Sequence, residues 1–433
     1  MLSLCRLALA LLSAPAFGLT VSPAAASQPA PSLSLEETVA LATTHAGDAE
    51  SSRGAVEAAV QMAVSAGQLP DPVLKLGLNN VPVTGPDQFS LTRDFMTMRS
   101  ISVMQEFTRS DKRRAKAARF EAEATAADAQ RAVGLANVQR NAVGAWLDRW
   151  YAEQTGTLLG HHGHPLDLAL QAATAAYRSG RGTRADVLAM ELEIQKLHDR
   201  LDENRTAAAT AMLGLERWVG PAAKRPLSGR PPLEVPQGVR QLANGEVEAV
   251  PEITAAQREV ALAESEIQVA REAGRPDVTV ELMYSQRGSA YSNMGSLNVS
   301  FPVPWDRGNR QDRDVASRLA QASEARAKSE IIRRNTQAMV GAKLAELQRN
   351  LERLKRYDEK TLPLANAQAD AALTAYRANT GSLLAVAEAN HRAIDTAVER
   401  LTLEAKTAKL WADLTFLVPL PTAQTEPATK ELK

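Results

Sequence analysis

The chain writes one short segment twice. "TAAYRSGRGTRADVL" at 174–188 and "LTAYRANTGSLLAV" at 373–386 align Tyr177 with Tyr376, Arg178 with Arg377, Gly182 with Gly381 and Val187 with Val386. The offset of 199 residues, Tyr177 to Tyr376, is close to half of the 433-residue length. Two more echoes keep the same order. "AGQLPDPVLKLGL" at 66–78 resembles "AGRPDVTVELMY" at 273–284, and "SISVMQEF" at 100–107 resembles "SLNVSFPV" at 296–303. A period this long is duplication of a whole unit, not the roughly 20–50-residue period of a solenoid. Each half reads as helix, short strand, loop, short strand, very long helix, Tyr-Arg segment and a further helix.

The short strands alternate. Leu74, Leu76 and Leu78 are separated by Lys75 and Gly77, and Ile101 and Val103 flank Ser102. Val278, Val280, Leu282 and Tyr284 alternate with Thr279, Glu281 and Met283, and Leu297, Val299 and Phe301 with Asn298 and Ser300. Period two gives a strand one apolar and one polar face. Runs of about nine or ten residues suffice to cross an outer membrane when tilted. A half-buried strand in a small soluble sheet has the same period, so the strands alone leave both readings open.

The helices weigh on that choice. From 110 to 177 and from 309 to 376 helix formers dominate and breakers are few. Roughly 67 residues in one helix would span about 100 Å. Val187, Met190, Ile194, Leu197 and Leu201 step 3-4-3-4, and Leu344, Leu347, Leu351 and Leu354 step 3-4-3. Such seams need partner helices along their length. The segment after each Tyr-Arg pair supplies one if the chain reverses there. Gly180, Gly182 and Gly381 permit the positive φ angles of a tight reversal. Thr183 and Ser382 suit the N-cap of the returning helix. Two hairpin tips at one height, far from the strands, are the expectation. Pro70 and Pro276 mark the passage from helix to strand, and Pro302 and Pro304 the passage from strand to helix. Pro165 and Pro363 fall within the long helical runs and are expected to kink or interrupt them.

Composition agrees. Aromatics are only 4% and Ala supplies much of the 45% hydrophobic content, as in closely packed long helices. Fifty basic residues balance fifty acidic ones, so nothing points to nucleic acid. Arg6, the apolar run 7–19 and Ala24-Ala25-Ala26 form an export signal with an A-x-A cleavage site. The only cysteine, Cys5, precedes the apolar run, so neither a lipid anchor nor a disulfide is expected in the exported chain. The expected organisation is a signal at 1–26, repeat 1 at 27–220, a Pro-rich linker and equatorial segment at 221–250, repeat 2 at 251–418 and a disordered tail at 419–433.

These residues resemble the TolC-like outer-membrane efflux channels over nearly the whole exported chain. The tip signature Tyr-x-x-Gly-x-x-Thr-x-x-Asp-Val-Leu reads here as Tyr177, Gly180, Thr183, Asp186, Val187 and Leu188. The second copy keeps Tyr376, Gly381 and Ser382 but carries Asn379 for the first glycine and Ala385 for the aspartate. "FPVPWDRGNR" at 301–310 resembles the strand exit of the heavy-metal branch, the CzcC- and CusC-like channels, with Val303, Trp305 and Gly308 as departures. The resemblance implies a mainly α fold with a small β part: an antiparallel α-helical coiled-coil barrel plus four strands per chain. It implies a homotrimer with one twelve-stranded barrel in the outer membrane of a Gram-negative bacterium and a large periplasmic portion. It also implies a periplasmic adaptor (membrane fusion) protein and an inner-membrane pump of the resistance-nodulation-division (RND) type as partners. Heavy-metal cations are the implied cargo. Drug efflux or type I protein secretion is the alternative within the family, and a soluble periplasmic coiled-coil adaptor or scaffold the alternative outside it.

No catalytic constellation and no cofactor motif stands out, so an enzyme is not expected. The resemblance makes Tyr177, Gly180, Gly182, Thr183, Tyr376, Gly381 and Ser382 candidates for shaping the tips and meeting the adaptor. It makes Arg178, Arg184 and Asp186 candidates for the ionic links of a periplasmic gate. Threefold symmetry would turn each pore-facing charge into a ring. "GHHGH" places His161, His162 and His164 as weak metal candidates, since imidazole suits transition metals. Met96, Met98 and Met104 read as apolar filling that would also suit Cu(I). His391, on the seam of Leu384, Ala387, Ile394 and Val398, reads as a packed polar spacer.

Overall fold

Four strands form one antiparallel sheet in the order of the chain. The computed structural model describes residues 32–45, 47–378 and 380–420; the export signal with Cys5 and the tail from 421 lie outside the described residues. The strands are β1 (Val73–Asn79), β2 (Met98–Phe107), β3 (Val278–Gln286) and β4 (Met294–Ser300), paired β1-β2-β3-β4. The register carries the sequence alternation across the whole sheet. Leu74 faces Val103 and Val103 faces Leu282; Leu76 faces Ile101 and Ile101 faces Tyr284; Leu282 faces Leu297 and Val280 faces Val299. One face is therefore a continuous apolar band, and it is uncovered: Leu76 is 76% exposed and Leu297 67%.

The other face is polar and internally bonded. Glu281 accepts from Ser102 Oγ at 2.7 Å, from Lys75 Nζ at 3.3 Å and from Asn298 Nδ2 at 3.5 Å. Among the described residues, β1 and β4 each keep one edge without a partner strand. These two outer strands are seven residues long, shorter than the nine or ten expected; β2 and β3 have ten and nine.

The helices continue the sheet. Helix α1 (Leu35–His45) precedes α2 (Gly47–Ala66), which leads into β1 past Pro70. Helix α3 (Ser110–His161, 52 residues, about 78 Å long) leaves β2. Helix α4 (Gly163–Arg178) follows, and α5 (Arg184–Val219) returns. After a 3₁₀ turn (Gly220–Lys224) and the short α6 (Val239–Ala243), the order recurs: α7 (Pro251–Ala273), β3, β4, α8 (Gln311–Arg356), α9 (Leu362–Arg377) and the returning α10 (Leu383–Thr415). Neighbouring helices α2, α3, α7 and α8 pack side by side in the order of the strands they adjoin. No helix among the described residues is long and apolar enough to cross a membrane.

Both long helices are interrupted where the prolines stand. α3 ends at His161 and α4 begins at Gly163, two residues before Pro165. Between α8 and α9 the chain makes one π turn, Tyr357–Thr361, with Pro363 in the first turn of α9. A ring without N–H cannot sit inside an α-helical ladder, and a π turn is one way to absorb the missing bond. Arg400 of α10 braces this turn through Asp358 at 2.8 Å and also meets Glu404, which is 1% exposed and receives Arg230 at 3.1 Å.

The main core sits at mid-length, where the second-half helices meet α3 and the linker. Trp146, Leu147, Leu33, Leu215, Leu347, Leu414 and Phe416 are fully buried in one cluster. The Pro-rich linker is strapped to it. Leu227 bridges Leu33, Arg225 holds Glu37 through two contacts of 2.8 Å, and Trp150 Nε1 donates to the Gly229 carbonyl at 3.1 Å. Trp146 Nε1 donates to the Leu33 carbonyl at 3.3 Å, tying the start of the described chain to α3. Replacing Trp146 by Ala should cost about 3–5 kcal/mol in denaturant unfolding, by lost burial and a cavity. W146F, which loses mainly the hydrogen bond, should cost about 1 kcal/mol plus a smaller packing term.

Candidate functional site

The two tips are one turn built twice. At the first, the N–H groups of Arg181 and Gly182 both donate to the Ala176 carbonyl, at 2.9 and 3.1 Å. At the second, Thr380 and Gly381 donate to Ala375 at the same distances. Only Gly180, at φ +72°, uses the left-handed freedom expected of the tip glycines. Gly182 and Gly381 are needed for a different reason. A Cβ at either would lie 3.0 Å from the Cβ of Ala176 or Ala375 and 3.2 Å from the next backbone nitrogen, so the turn folds too close to the helix end for a side chain.

The caps differ between the copies where Ala385 stands in place of an aspartate. Thr183 caps α5: Asp186 N–H donates to Thr183 Oγ1 at 3.2 Å, and Thr183 N–H donates back to the Asp186 carboxylate at 2.9 Å. Thr183 Oγ1 also donates to that carboxylate at 2.7 Å. Ser382 caps α10 through Ala385 N–H at 3.1 Å, but Ala385 returns nothing. One tip has a reciprocal box and the other half of one.

The two tips touch. Ala173, Met190, Leu383, Val386 and Ala387 form one buried cluster drawn from both hairpins. The matched tyrosines are not equivalent in it: Tyr376 packs against the cluster, whereas Tyr177 is 48% exposed. Arg178 and Arg184 are exposed. Among the described residues neither forms an ion pair with Asp186, whose carboxylate is engaged by Thr183. Those hydrogen bonds hold the Asp186 carboxyl below its usual range.

The tie between hairpins lies two to three turns further along and was missed by sequence reasoning. His391 of α10 stands between Glu193 of α5, 3.1 Å from Nδ1, and Asp395, 3.2 Å from Nε2. Lys196 adds to Glu193 at 2.9 Å and Arg200 to Asp395 at 2.8 Å. His391 is thus held between two carboxylates, not packed as a spacer in the apolar seam. Its signal was present in the charged residues at three- and four-residue spacing on both helices, which the apolar reading passed over.

Two of the three histidines of the run have described side chains. His161 closes α3 and His162 sits at the break with φ −90°; the side chain of His164 lies outside the described residues. Among the described residues no three His, Cys, Asp or Glu side chains converge as a metal site. Burial first, then the neighbouring His161, pushes the His162 imidazole below its usual range. Met104 lies on the polar face of the sheet, with its sulfur 3.3 Å from Lys75 Nζ, which is no setting for Cu(I).

Solved structures share this arrangement of strands and helices. The Campylobacter jejuni outer-membrane channel CmeC superposes with a TM-score of 0.73 at 12% identity, over 89% of this chain and 85% of that one. The Vibrio cholerae outer-membrane protein VceC gives 0.71 at 17%, over 89% and 96%. CusC, whose structures concern transmembrane channel formation, gives 0.72 at 14%, over 88% and 91%. The chain has the fold of the TolC-like channels. No family model and no curated protein matches the sequence. The TolC-like fold thus spans nearly the full length of this chain and of its structural neighbours, at identities where side chains have diverged.

The capping box yields a test at the first tip. Thr183→Ala and Asp186→Ala should each lower tip stability by about 1 kcal/mol, read by amide hydrogen exchange around 184–190. The double variant should lose little more, since both remove the same box. The lowered Asp186 pKa means its contribution is present above the unfolded carboxylate value and lost as pH falls through the folded one. Tip protection should therefore decline below about pH 4 in the wild type, and Asp186→Asn should abolish that decline.

Proposed function

We propose that this protein is the outer-membrane channel of a tripartite efflux system. One observation carries the reading: the sheet has a continuous uncovered apolar face, a hydrogen-bonded polar face and two open edges. In lipid every backbone polar group needs an internal partner, so such a sheet is stable only when closed. Three copies close twelve strands, with Leu76, Ile101, Leu282 and Leu297 toward lipid and Lys75, Ser102, Glu281 and Asn298 toward the lumen. The helices then extend the lumen across the periplasm. The channel is not an enzyme; it conducts passively, and energy comes from an inner-membrane RND pump coupled through a periplasmic adaptor. Exposed Tyr177 and the turns at Gly180–Thr183 and Gly381–Ser382 face that adaptor. Arg178, Arg184 and Asp186 line the gate at the tips, with Asp186 freed from Thr183 if it takes part.

Heavy-metal cations are the cargo favoured by the strand exit at 301–310. Likeness to CusC, CmeC and VceC does not separate the cargo readings, and drug efflux or type I secretion is the competing one. A soluble adaptor or scaffold has no use for an uncovered apolar sheet face. A deletion strain should show sensitivity to copper, silver, zinc, cobalt, cadmium or nickel if metal is the cargo; unchanged tolerance with drug sensitivity would transfer the assignment. For the channel itself, Leu282→Arg near mid-strand should cost about 2–4 kcal/mol of membrane stability and deplete the protein from outer-membrane fractions. Purified wild type should form pores in planar bilayers. Full solubility without detergent, or bilayers that never conduct, would contradict the proposal.

A further inference from the structure

A cationic recess lies where the helices meet the sheet. It has a volume of about 780 Å³ and is bounded by the end of α2, the lead into β1 and the first turns of α3, with Asp71, Thr108, Arg113, Lys116 and Arg119 in its wall. Helix α3 opens with a dense run of cations, and most are neutralised. Lys112 holds Asp277 at 2.5 Å, Arg114 pairs with Asp111, and Arg119 pairs with Glu123 at 2.5 Å and approaches Glu266 at 3.8 Å. Arg113 and Lys116 form no ion pair within 4 Å among the described residues, although Lys116 acts electrostatically on the Asp277 carboxylate. The Arg113 Nε is buried without any acceptor. A buried donor left unmatched is costly, and an arginine beside a lysine one turn away suits an oxyanion. Asp71 is the single carboxylate in the wall, and it forms no ion pair with either cation.

Two residues of the recess wall share the parity of the polar face of the sheet. Carried past the strand ends, the alternation puts Asp71 on the side of Lys75, and Thr108 on the side of Ser102. Asp277 has the same parity as Glu281, and it is gripped by Lys112, one turn before Lys116. In the proposed channel that side is the lumen, and three copies would place a belt of positive charge at the throat below the barrel.

We propose that this recess is an oxyanion subsite of the conduit, in which Arg113 and Lys116 take a phosphate- or carboxylate-bearing solute. The inference rests on the channel reading for its place in the lumen, but not for the binding itself. It counts against the heavy-metal reading of the cargo drawn from the strand exit, because a bare divalent cation meets like charge at this level while an anionic solute is drawn to it.

Inorganic pyrophosphate is the probe, at constant ionic strength against chloride. The full chain in detergent should show a raised thermal midpoint with pyrophosphate, and its pores should show concentration-dependent block from the helical side. The R113Q/K116Q double variant should lose the midpoint shift and raise the half-blocking concentration by about tenfold or more, the loss expected for charge-assisted hydrogen bonds. R114Q, which alters a cation already paired with Asp111, should behave as wild type. Equal midpoint shifts and equal block in wild type and double variant, or neither effect in conducting wild-type pores, would overturn the site and leave the channel standing. A midpoint shift without any pores would keep the site and overturn the channel. Absence of block, with anionic phospholipid retained by wild type and not by the double variant, would move the site to the lipid side and overturn its lumenal assignment.

Discussion

A four-stranded sheet with one apolar face and two open edges cannot stand alone in water or in lipid. Water penalises the exposed leucines, and lipid penalises the unpaired N–H and C=O groups of β1 and β4. In the proposed channel, further copies of the same sheet close the edges and lipid covers the leucines, so both penalties are removed. The remaining architecture fits that proposed closure. Four strands in the order β1-β2-β3-β4 hand over to four helices in the matching order, so a closed sheet implies a closed ring of helices beneath it.

The helical part is held by apolar seams at three levels and by ion pairs between them. The mid-length core around Trp146 collects α1, α3, α5, α8, α10 and the linker. A second cluster around Leu159, Leu197 and Ile394 lies between that core and the tips, and a third joins the tips themselves. Between the last two, the Glu193–His391–Asp395 network links α5 to α10. The mid-length core is broad, whereas the two clusters nearer the tips are small and the tips end in short caps. Motion confined to the tips would therefore disturb little of the core.

Much of this was legible in the sequence because the signals were periodic or punctual. Strand parity at 74–78 and 278–284 became faces, Pro165 and Pro363 became helix breaks, and Thr183 and Ser382 became caps. What was illegible depended on partners distant in sequence. Gly182 and Gly381 read as sources of positive φ, yet their constraint is contact with the preceding helix end. Tyr177 and Tyr376 are identical in pattern, but only Tyr376 has the shared cluster to pack on. His391 read as a spacer because its acidic partner Glu193 lies on another hairpin. The unmatched Arg113 could not be told from its neutralised neighbours until Asp277, Glu123 and Glu266 were placed.

The central claim is closure of the sheet by identical copies, and imaging tests it most directly. Single-particle images of the full chain in detergent, viewed along the helices, should show threefold symmetry about an open lumen continuous from barrel to tips. Isolated single chains, or a bundle whose helices fill the axis, would contradict it.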